Sequence, residues 1–174
     1  MSKSVRVGII GAGGNTRTRH IPGFKAIPGV EVVAVCNRTK ASGEKVAKEF
    51  GIPRVTENWK EIVDAPDIDA ICIGTWPNLH GKLSVAALRA GKHVLTEARM
   101  ARTLAEAELM LAESKAHPNL VAQIVPAPMS LPFDATVSEL LKGGELGTLR
   151  EVFLTATTDG KKIFGRAIAS AKLA

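Results

Sequence analysis

The chain has 174 residues and a formal net charge of +6, with 45% hydrophobic and 23% charged residues. This composition predicts a soluble globular protein with a sizeable core, and no apolar stretch reaches the roughly 20 residues that a membrane span requires. Because aromatic residues make up only 4% of the chain and no tight basic run occurs, we expect neither nucleic acid nor a membrane as a partner.

Apolar runs rich in valine and isoleucine alternate with segments of helix length along most of the chain. The runs that we predict as strands are Val5–Ile10, Val30–Cys36, Arg54–Thr56, Ala70–Gly74, His93–Thr96 and Leu120–Val125. Nearly continuous hydrophobicity is typical of strands that are buried on both faces, as in a parallel sheet. Strands that alternate with helices form βαβ units, so the sequence predicts an α/β protein with a doubly wound parallel sheet of the Rossmann type.

The predicted helices between these strands have recognisable ends. Thr39 precedes a helix that stops at Gly51, Asn58 begins a short helix, and Thr103 with Glu106 has the spacing of a capping box. These signals support helical crossovers between the strands.

The two cysteines, Cys36 and Cys72, both lie inside predicted strands. We interpret them as buried free thiols, neither a disulfide nor a metal pair. Together with the absence of a signal-peptide pattern at the start of the chain, they predict a reducing compartment and hence a cytoplasmic location. No metal site is predicted.

The character of the sequence changes after Val125. Residues 126–132 read PAPMSLP and contain three prolines, which cannot continue a strand or a helix. A helix with Asp134 as its cap and Gly143 as its end is predicted next, followed by an alternating strand, Leu149–Thr157. That strand has no partner left in the chain, so we expect homo-oligomer formation or another association through its exposed edge.

A glycine-rich turn, within the stretch VGIIGAGGNTRTRH, joins the first predicted strand to the first predicted helix. Gly11 permits a tight turn and Gly13 lets the backbone approach a pyrophosphate, to which the helix N-terminus offers N–H groups. We include Gly14 and Asn15 in the predicted nucleotide site. Thr16 stands at the third glycine position, where it crowds the helix against the sheet without blocking a phosphate. The alternative is a plain glycine turn.

The end of the second strand bears on the choice of cofactor. Glu31 lies at the start of that strand, which is the wrong end for a ribose-binding acid. Asn37 can hydrogen-bond a ribose hydroxyl, and Arg38 can pair with a 2′-phosphate or stack on adenine. We therefore expect NADP in preference to NAD, although Arg38 could instead be a solvated loop arginine.

Three basic residues on the first helix are weaker candidates. Arg17 and Arg19 could reach the phosphates, but a solvated helix face is the commoner role for such residues. We expect His20 to pack ahead of Pro22 and not to take part in chemistry.

The stretch DAICIGTWPNLHGKLSVAALRAGKHVLTEARMA, from Asp69 to Ala101, resembles the glucose–fructose oxidoreductase, inositol dehydrogenase and MocA (Gfo/Idh/MocA) family. In that family a strand ends in T-P-N-x-x-H, a helix ending AALEAGKHV follows, and an E-K-P motif comes next. The resemblance covers roughly Val5 to Thr157. It implies a dinucleotide-binding Rossmann domain over residues 1–125, and over residues 126–174 a linker with the first helix and strand of an incomplete second α/β domain.

Three residues match the family motifs, and a fourth stands at a motif position where the family has another residue. Thr75 and His80 match the threonine and the histidine, Trp76 replaces the proline, and Glu97 matches the glutamate of E-K-P. The resemblance implies that they line the cofactor, with the Glu97 carboxylate at the nicotinamide ribose and the Trp76 indole over the nicotinamide or the adenosine. The alternatives are local packing for Trp76 and a local hydrogen bond for His80.

The sequence also departs from the family pattern. Ala98 stands where the family has the E-K-P lysine, Arg99 replaces the proline, and no D-x-x-x-H motif follows Pro126. Alanine cannot transfer a proton, so we assign no catalytic residue. The resemblance implies an NAD(P)-dependent oxidoreductase that transfers a hydride to or from a small-molecule substrate, a sugar, polyol or related carbonyl compound. The alternative is a non-catalytic NAD(P)-binding module, or a truncated remnant without the substrate domain.

Overall fold

A computed structural model of the chain describes residues 4–125, 134–145 and 147–148. The chain separates into two compact units, Met1–Ala127 and Pro128–Ala174. The first unit contains a six-stranded sheet and its helices. In the second unit, one helix is described.

All six strands of the first unit are parallel and lie in the order β3-β2-β1-β4-β5-β6. They are β1 Val5–Ile10, β2 Val30–Cys36, β3 Arg54–Thr56, β4 Ala70–Ile73, β5 His93–Thr96 and β6 Ala122–Ile124. The predicted doubly wound α/β sheet is confirmed, with β4 one residue shorter than predicted and β6 shorter at both ends. The chain winds away from β1 in both directions, so a crevice opens beyond the carboxyl ends of β1 and β4.

The helices of the first unit connect successive strands. The first, α1, begins with a π-helical turn, Thr16–His20, and continues as an α-helical turn, Ile21–Lys25. The others are α2 Lys40–Phe50, α3 Trp59–Val63, α4 Pro77–Arg89 and α5 Leu104–Ala116. In the second unit α6 spans Asp134–Lys142, ending before Gly143 as predicted.

The predicted caps form with one change. The Thr39 hydroxyl accepts a hydrogen bond from the Ser42 N–H, and the Asn58 side chain accepts one from the Lys60 N–H. At α5 the Thr103 hydroxyl accepts from the Glu106 N–H at 3.2 Å. The returning bond of the predicted capping box is displaced, because the Glu106 carboxylate accepts from the N–H of Arg102 and not of Thr103.

The apolar core has a layer on each face of the sheet. Side chains alternate along a strand, so the central strand β1 supplies both layers. Ile9 packs in the layer that contains Cys72, and Ile10 packs in the layer that contains Cys36. The two thiols therefore lie on opposite faces of the sheet, and both are buried and free, as predicted.

Burial makes both thiols unreactive. Loss of solvent raises the pKa of Cys36 to about 11 and that of Cys72 to about 12. We expect an aromatic disulfide reagent at pH 8 to leave the folded chain unmodified and to label two thiols at once in guanidinium. The unfolded chain releases these protons at lower pH, so the free energy of unfolding should fall as pH rises above about 9. Fast labelling of the native chain would contradict this prediction.

Some predictions lie outside the described residues. They are the proline-rich linker of residues 126–132 and the strand Leu149–Thr157, so association through that strand's edge stays a prediction. Within the described ranges, no helix is long and apolar enough to cross a membrane. Nor do His, Cys, Asp and Glu side chains in that part of the chain gather into a group that could hold a metal ion.

Candidate functional site

The glycine turn is held tightly against the end of β4. Gly11 has a φ of +88°, and its N–H donates to the carbonyl of Cys36 at 2.8 Å. A Cβ at this position would stand 2.6 Å from the backbone nitrogen of Thr75. Both the backbone conformation and the close approach therefore require glycine.

Thr16 is accommodated by a second glycine. It is 1% exposed, and its hydroxyl donates to the Gly11 carbonyl at 3.1 Å. A Cβ on Gly74 would lie 2.0 Å from the Thr16 oxygen. In the usual glycine pattern, the glycine at the third position leaves room between the helix and the sheet. Here Thr16 stands at that position and Gly74 leaves the room instead, so the crowding expected at Thr16 is relieved.

The other residues of the turn face outward. Gly13, Gly14 and Asn15 are exposed, and added Cβ atoms at the two glycines would meet nothing closer than 3.9 Å. The first bond of the helix runs from the Arg17 N–H to the Gly13 carbonyl at 3.0 Å. The first N–H groups of a helix have no acceptor within it and carry its positive dipole end, so an anion fits here.

The end of β2 lies beside the turn. The Asn37 Oδ1 accepts a hydrogen bond from the Ala12 N–H at 2.7 Å. This bond ties the second strand to the glycine turn and leaves the Asn37 amide hydrogens to donate. Arg38 is exposed, and its guanidinium makes no hydrogen bond or ion pair with any described residue. It is a cation available to a ligand at this edge.

The loop after β4 presents an aromatic ring to solvent. Trp76 is 80% exposed at the start of α4. The half-buried Thr75 hydroxyl donates to the Trp76 carbonyl at 3.2 Å, so its oxygen can still accept a hydrogen bond from a ligand. An exposed indole at a sheet's carboxyl edge is a surface on which a flat ring can stack.

His80 was expected to line the cofactor at the carboxyl edge of the sheet, but its ring is buried away from that edge. It is 1% exposed, and its Nδ1 and Nε2 lie 2.8 and 2.9 Å from the carbonyl oxygens of Arg99 and Thr75. No ring nitrogen remains for a cofactor. The correction is that His80 holds the loops after β4 and β5 together, because it projects from the buried face of α4.

Glu97 is the centre of a polar cluster that the sequence did not indicate. Its Oε1 accepts hydrogen bonds from Asn15 Nδ2 and from His20 Nε2. Its backbone N–H donates to the Ile73 carbonyl at 3.1 Å, which fixes it beside β4. His20 thus makes a polar contact with Glu97 that the expected packing ahead of Pro22 did not include.

The remaining basic candidates differ in availability. Arg17 is engaged by Glu49, whose Oε2 accepts from its Nε at 3.1 Å. Arg19 and Arg99 are exposed and unpaired within the described part of the chain. Ala98 is also exposed, so the position of the family lysine faces solvent without a titratable group.

The strand order, the turn closed by Gly11, and the helix N-terminus that follows this turn define a dinucleotide-binding domain of the Rossmann class. Residues 5–124 match the GFO_IDH_MocA family, described as an oxidoreductase family with an NAD-binding Rossmann fold. The chain belongs to this family, and the resemblance noted in the sequence is confirmed. Its cofactor is accordingly a nicotinamide dinucleotide, NAD or NADP.

Several relatives are reductases of sugars. dTDP-3,4-didehydro-2,6-dideoxy-alpha-D-glucose 3-reductase from Saccharopolyspora spinosa is 30% identical over 151 residues, which cover 87% of this chain and 45% of that protein. 1,5-anhydro-D-fructose reductase from Ensifer adhaerens is 37% identical over 110 residues, which cover 63% of this chain and 33% of that protein. The chain therefore spans less than half the length of these relatives.

The fold is also similar to solved structures. The 3-ketoreductase KijD10 from Actinomadura kijaniata, in complex with NADP and TDP-benzene, superposes with a TM-score of 0.71 at 28% identity. This match covers 85% of the present chain and 45% of KijD10. Myo-inositol 2-dehydrogenase from Lactobacillus plantarum gives a TM-score of 0.69 at 28% identity, and the match covers 83% of the present chain and 43% of the dehydrogenase.

Proposed function

We propose that this chain binds NADP across the carboxyl edge of β1 and β4, as the nucleotide-binding part of an oxidoreductase that acts by hydride transfer on a sugar, polyol or related carbonyl compound. NADP supplies the hydride chemistry when it is bound. The observation that carries the proposal is the glycine turn, closed at Gly11 and open at Gly13 and Gly14, above the N-terminus of α1.

The pyrophosphate would lie over the turn. Gly13 and Gly14 present backbone without a side chain, so phosphate oxygens can reach the first N–H groups of the helix. The tight contact of Gly11 with Thr75 fixes the turn beforehand, so little ordering is needed when the ligand binds.

The adenosine end would lie along the end of β2. Asn37 keeps donors for a ribose hydroxyl, and Arg38 presents a guanidinium that pairs with no described residue and suits a 2′-phosphate. A planar guanidinium can bind phosphate through two parallel hydrogen bonds, which favours NADP over NAD.

The nicotinamide end would lie between the loops after β4 and β5. Thr75 and Glu97 can bind the ribose hydroxyls, and the exposed Trp76 ring can cover the base. These placements agree with what the family resemblance implies for the three residues. His80 would act only through the backbone that it holds.

The relatives' names support a sugar-like substrate, since they include a dTDP-sugar reductase and 1,5-anhydro-D-fructose reductase. A second candidate, a non-catalytic NAD(P)-binding module, is favoured by Ala98. Neither Ala98 nor Arg99 can exchange a proton near neutral pH. Absorbance changes of NADPH or NADP⁺ with sugars and polyols would distinguish the two, because the module binds the nucleotide without turnover.

Trp76 provides the experiment that tests nucleotide binding at this edge. The chain has two tryptophans, and Trp59 is half-buried against the core. In the variant Trp59→Phe, we expect NADP⁺ to cause a saturable decrease in emission, because the oxidised nicotinamide or the adenine stacks on Trp76. In the matched variant Trp76→Phe the emission should change little, while calorimetry still detects binding. An absence of calorimetric binding to the unsubstituted chain would refute the proposal.

We also propose a cytoplasmic location. Cys36 and Cys72 are free, and their positions on opposite faces of the sheet prevent them from pairing with each other. Free thiols persist in reducing compartments, which supports the location.

A further inference from the structure

We propose that His20 is a positioning residue of the nucleotide site, which holds the Glu97 carboxylate so that its second oxygen accepts a hydroxyl of the nicotinamide-side ribose. This inference rests on the proposed function, and it assigns a role to a residue that no motif of the sequence marks. It also gives a role to the π-helical turn that opens α1, Thr16–His20.

The π-helical turn accounts for the meeting of Asn15 and His20 at one carboxylate. In a regular α-helix each residue turns by about 100°, so residues five apart would point about 140° away from each other. Here the Ile21 N–H donates to the Thr16 carbonyl, five residues back. This wider turn brings residues five apart closer to the same side of the helix, where both reach Glu97. Such turns are frequent at functional sites.

The hydrogen bonds at Glu97 are unequal for its two oxygens. Oε1 accepts from both Asn15 and His20, whereas no described residue donates to Oε2. The side chains of His20 and Glu97 are only 13% and 18% exposed, so the pair is partly withdrawn from water. A carboxylate held at one oxygen keeps a fixed direction for the other, and a fixed acceptor loses less freedom when a ligand hydroxyl binds.

The location of the cluster relates it to the ligand and not to the core. Asn15 belongs to the glycine turn, and Glu97 follows β5 at the carboxyl edge, next to the end of β4. The cluster therefore joins the proposed pyrophosphate site to the proposed nicotinamide ribose site. The adenosine end, at Asn37 and Arg38, lies on the other side of β1, because β2 and β4 flank that strand.

The test compares two probes on the full chain, NADPH and 2′,5′-ADP, which lacks the nicotinamide ribose. We expect His20→Ala to weaken NADPH binding about tenfold and to change the Kd of 2′,5′-ADP less than twofold. His20→Gln should restore NADPH affinity to within about threefold of the unsubstituted chain, because its carboxamide N–H can still donate to Glu97. A purely structural histidine would not give this selectivity or this rescue.

His117→Ala is the matched control. Its ring also hydrogen-bonds, to the Glu113 carbonyl at the end of α5, but away from the carboxyl edge. The control should leave both Kd values unchanged, and thermal unfolding reports any general loss of stability. The inference is overturned if His20→Ala binds NADPH like the control, or weakens both probes equally. If the unsubstituted chain binds neither probe, the proposed function itself fails, and the inference fails with it.

Discussion

Replacing Gly13 by alanine is expected to weaken NADPH binding about 100-fold without lowering the Tm of the free chain. Gly13 has no positive φ, and a Cβ there would have the Gly74 carbonyl oxygen, at 3.9 Å, as its nearest neighbour. The unliganded protein therefore accepts the methyl group. In the complex that group would occupy the space through which the pyrophosphate approaches the helix N-terminus. A 100-fold loss corresponds to about 2.7 kcal/mol, the scale of one hydrogen bond to a charged group.

Gly11→Ala should behave differently, because its cost falls on the folded protein. The new Cβ would stand 2.6 Å from the Thr75 nitrogen, on a backbone with φ of +88°. Strain and overpacking together should cost about 3 kcal/mol of unfolding free energy, and binding should be lost as well. Gly29→Ala is the control. It shares a positive φ, +80°, but has nothing within 4 Å and precedes β2 at the opposite edge.

Calorimetric titration with NADPH and thermal unfolding of the three variants test the assignment of the turn. Gly29→Ala should lower the Tm and keep the Kd. If Gly13→Ala bound NADPH within about threefold of the unsubstituted chain, the pyrophosphate would not lie over this turn. If Gly29→Ala lost binding as severely as Gly11→Ala, stability alone would explain both results.

The strands of the sheet could be predicted because short stretches of the sequence are enough to identify them. Apolar runs rich in valine and isoleucine placed β1 and β2 at their observed bounds, and the shorter β3 and β5, with one valine each, were also placed correctly. Burial on both faces removes the polar alternation of a half-exposed strand, so such runs stand out. β6 is the exception. It is shorter than predicted and exposed at all three residues, so it lacks the burial on both faces from which the strand bounds were predicted.

The site was only partly predictable, since its contacts join distant parts of the chain. Glycines between a strand and a helix are a local signal, and they indicated the turn correctly. His20 and Glu97 are 77 residues apart in the sequence. Their contact depends on a π-helical turn, which the hydrophobic periodicity of the sequence does not predict. The fit of Thr16 against Gly74 likewise requires two positions to be read together. The family motif singled out His80 as a site residue. The motif did not show that His80 lies on the buried face of α4, which keeps its ring away from the cofactor site.

The second large effect concerns the phosphate that distinguishes NADP from NAD. Arg38→Ala is expected to weaken NADPH binding about 30-fold and to leave NADH binding within about twofold of its original value. Arg38 is exposed at the end of β2 and makes no ion pair with a described residue, so its removal breaks no contact of the described fold. A charge-assisted bond to phosphate contributes about 1.5–3 kcal/mol, which sets the size of the effect. The free energy of unfolding should change by less than about 0.5 kcal/mol, as for most surface substitutions.

Lys45→Ala is the matched control for charge, since it removes one exposed positive charge from the adjacent helix α2. A uniform electrostatic effect would weaken NADPH binding equally in both variants and would fall with added salt. A specific contact predicts a loss in Arg38→Ala alone, together with a Kd ratio of NADH to NADPH that moves toward unity. Tighter binding of NADH than of NADPH by the unsubstituted chain would show that Arg38 is a solvated loop residue. The site would then have no preference for the 2′-phosphate. Asn37 would still serve either nucleotide, because its amide can donate to a ribose hydroxyl in both.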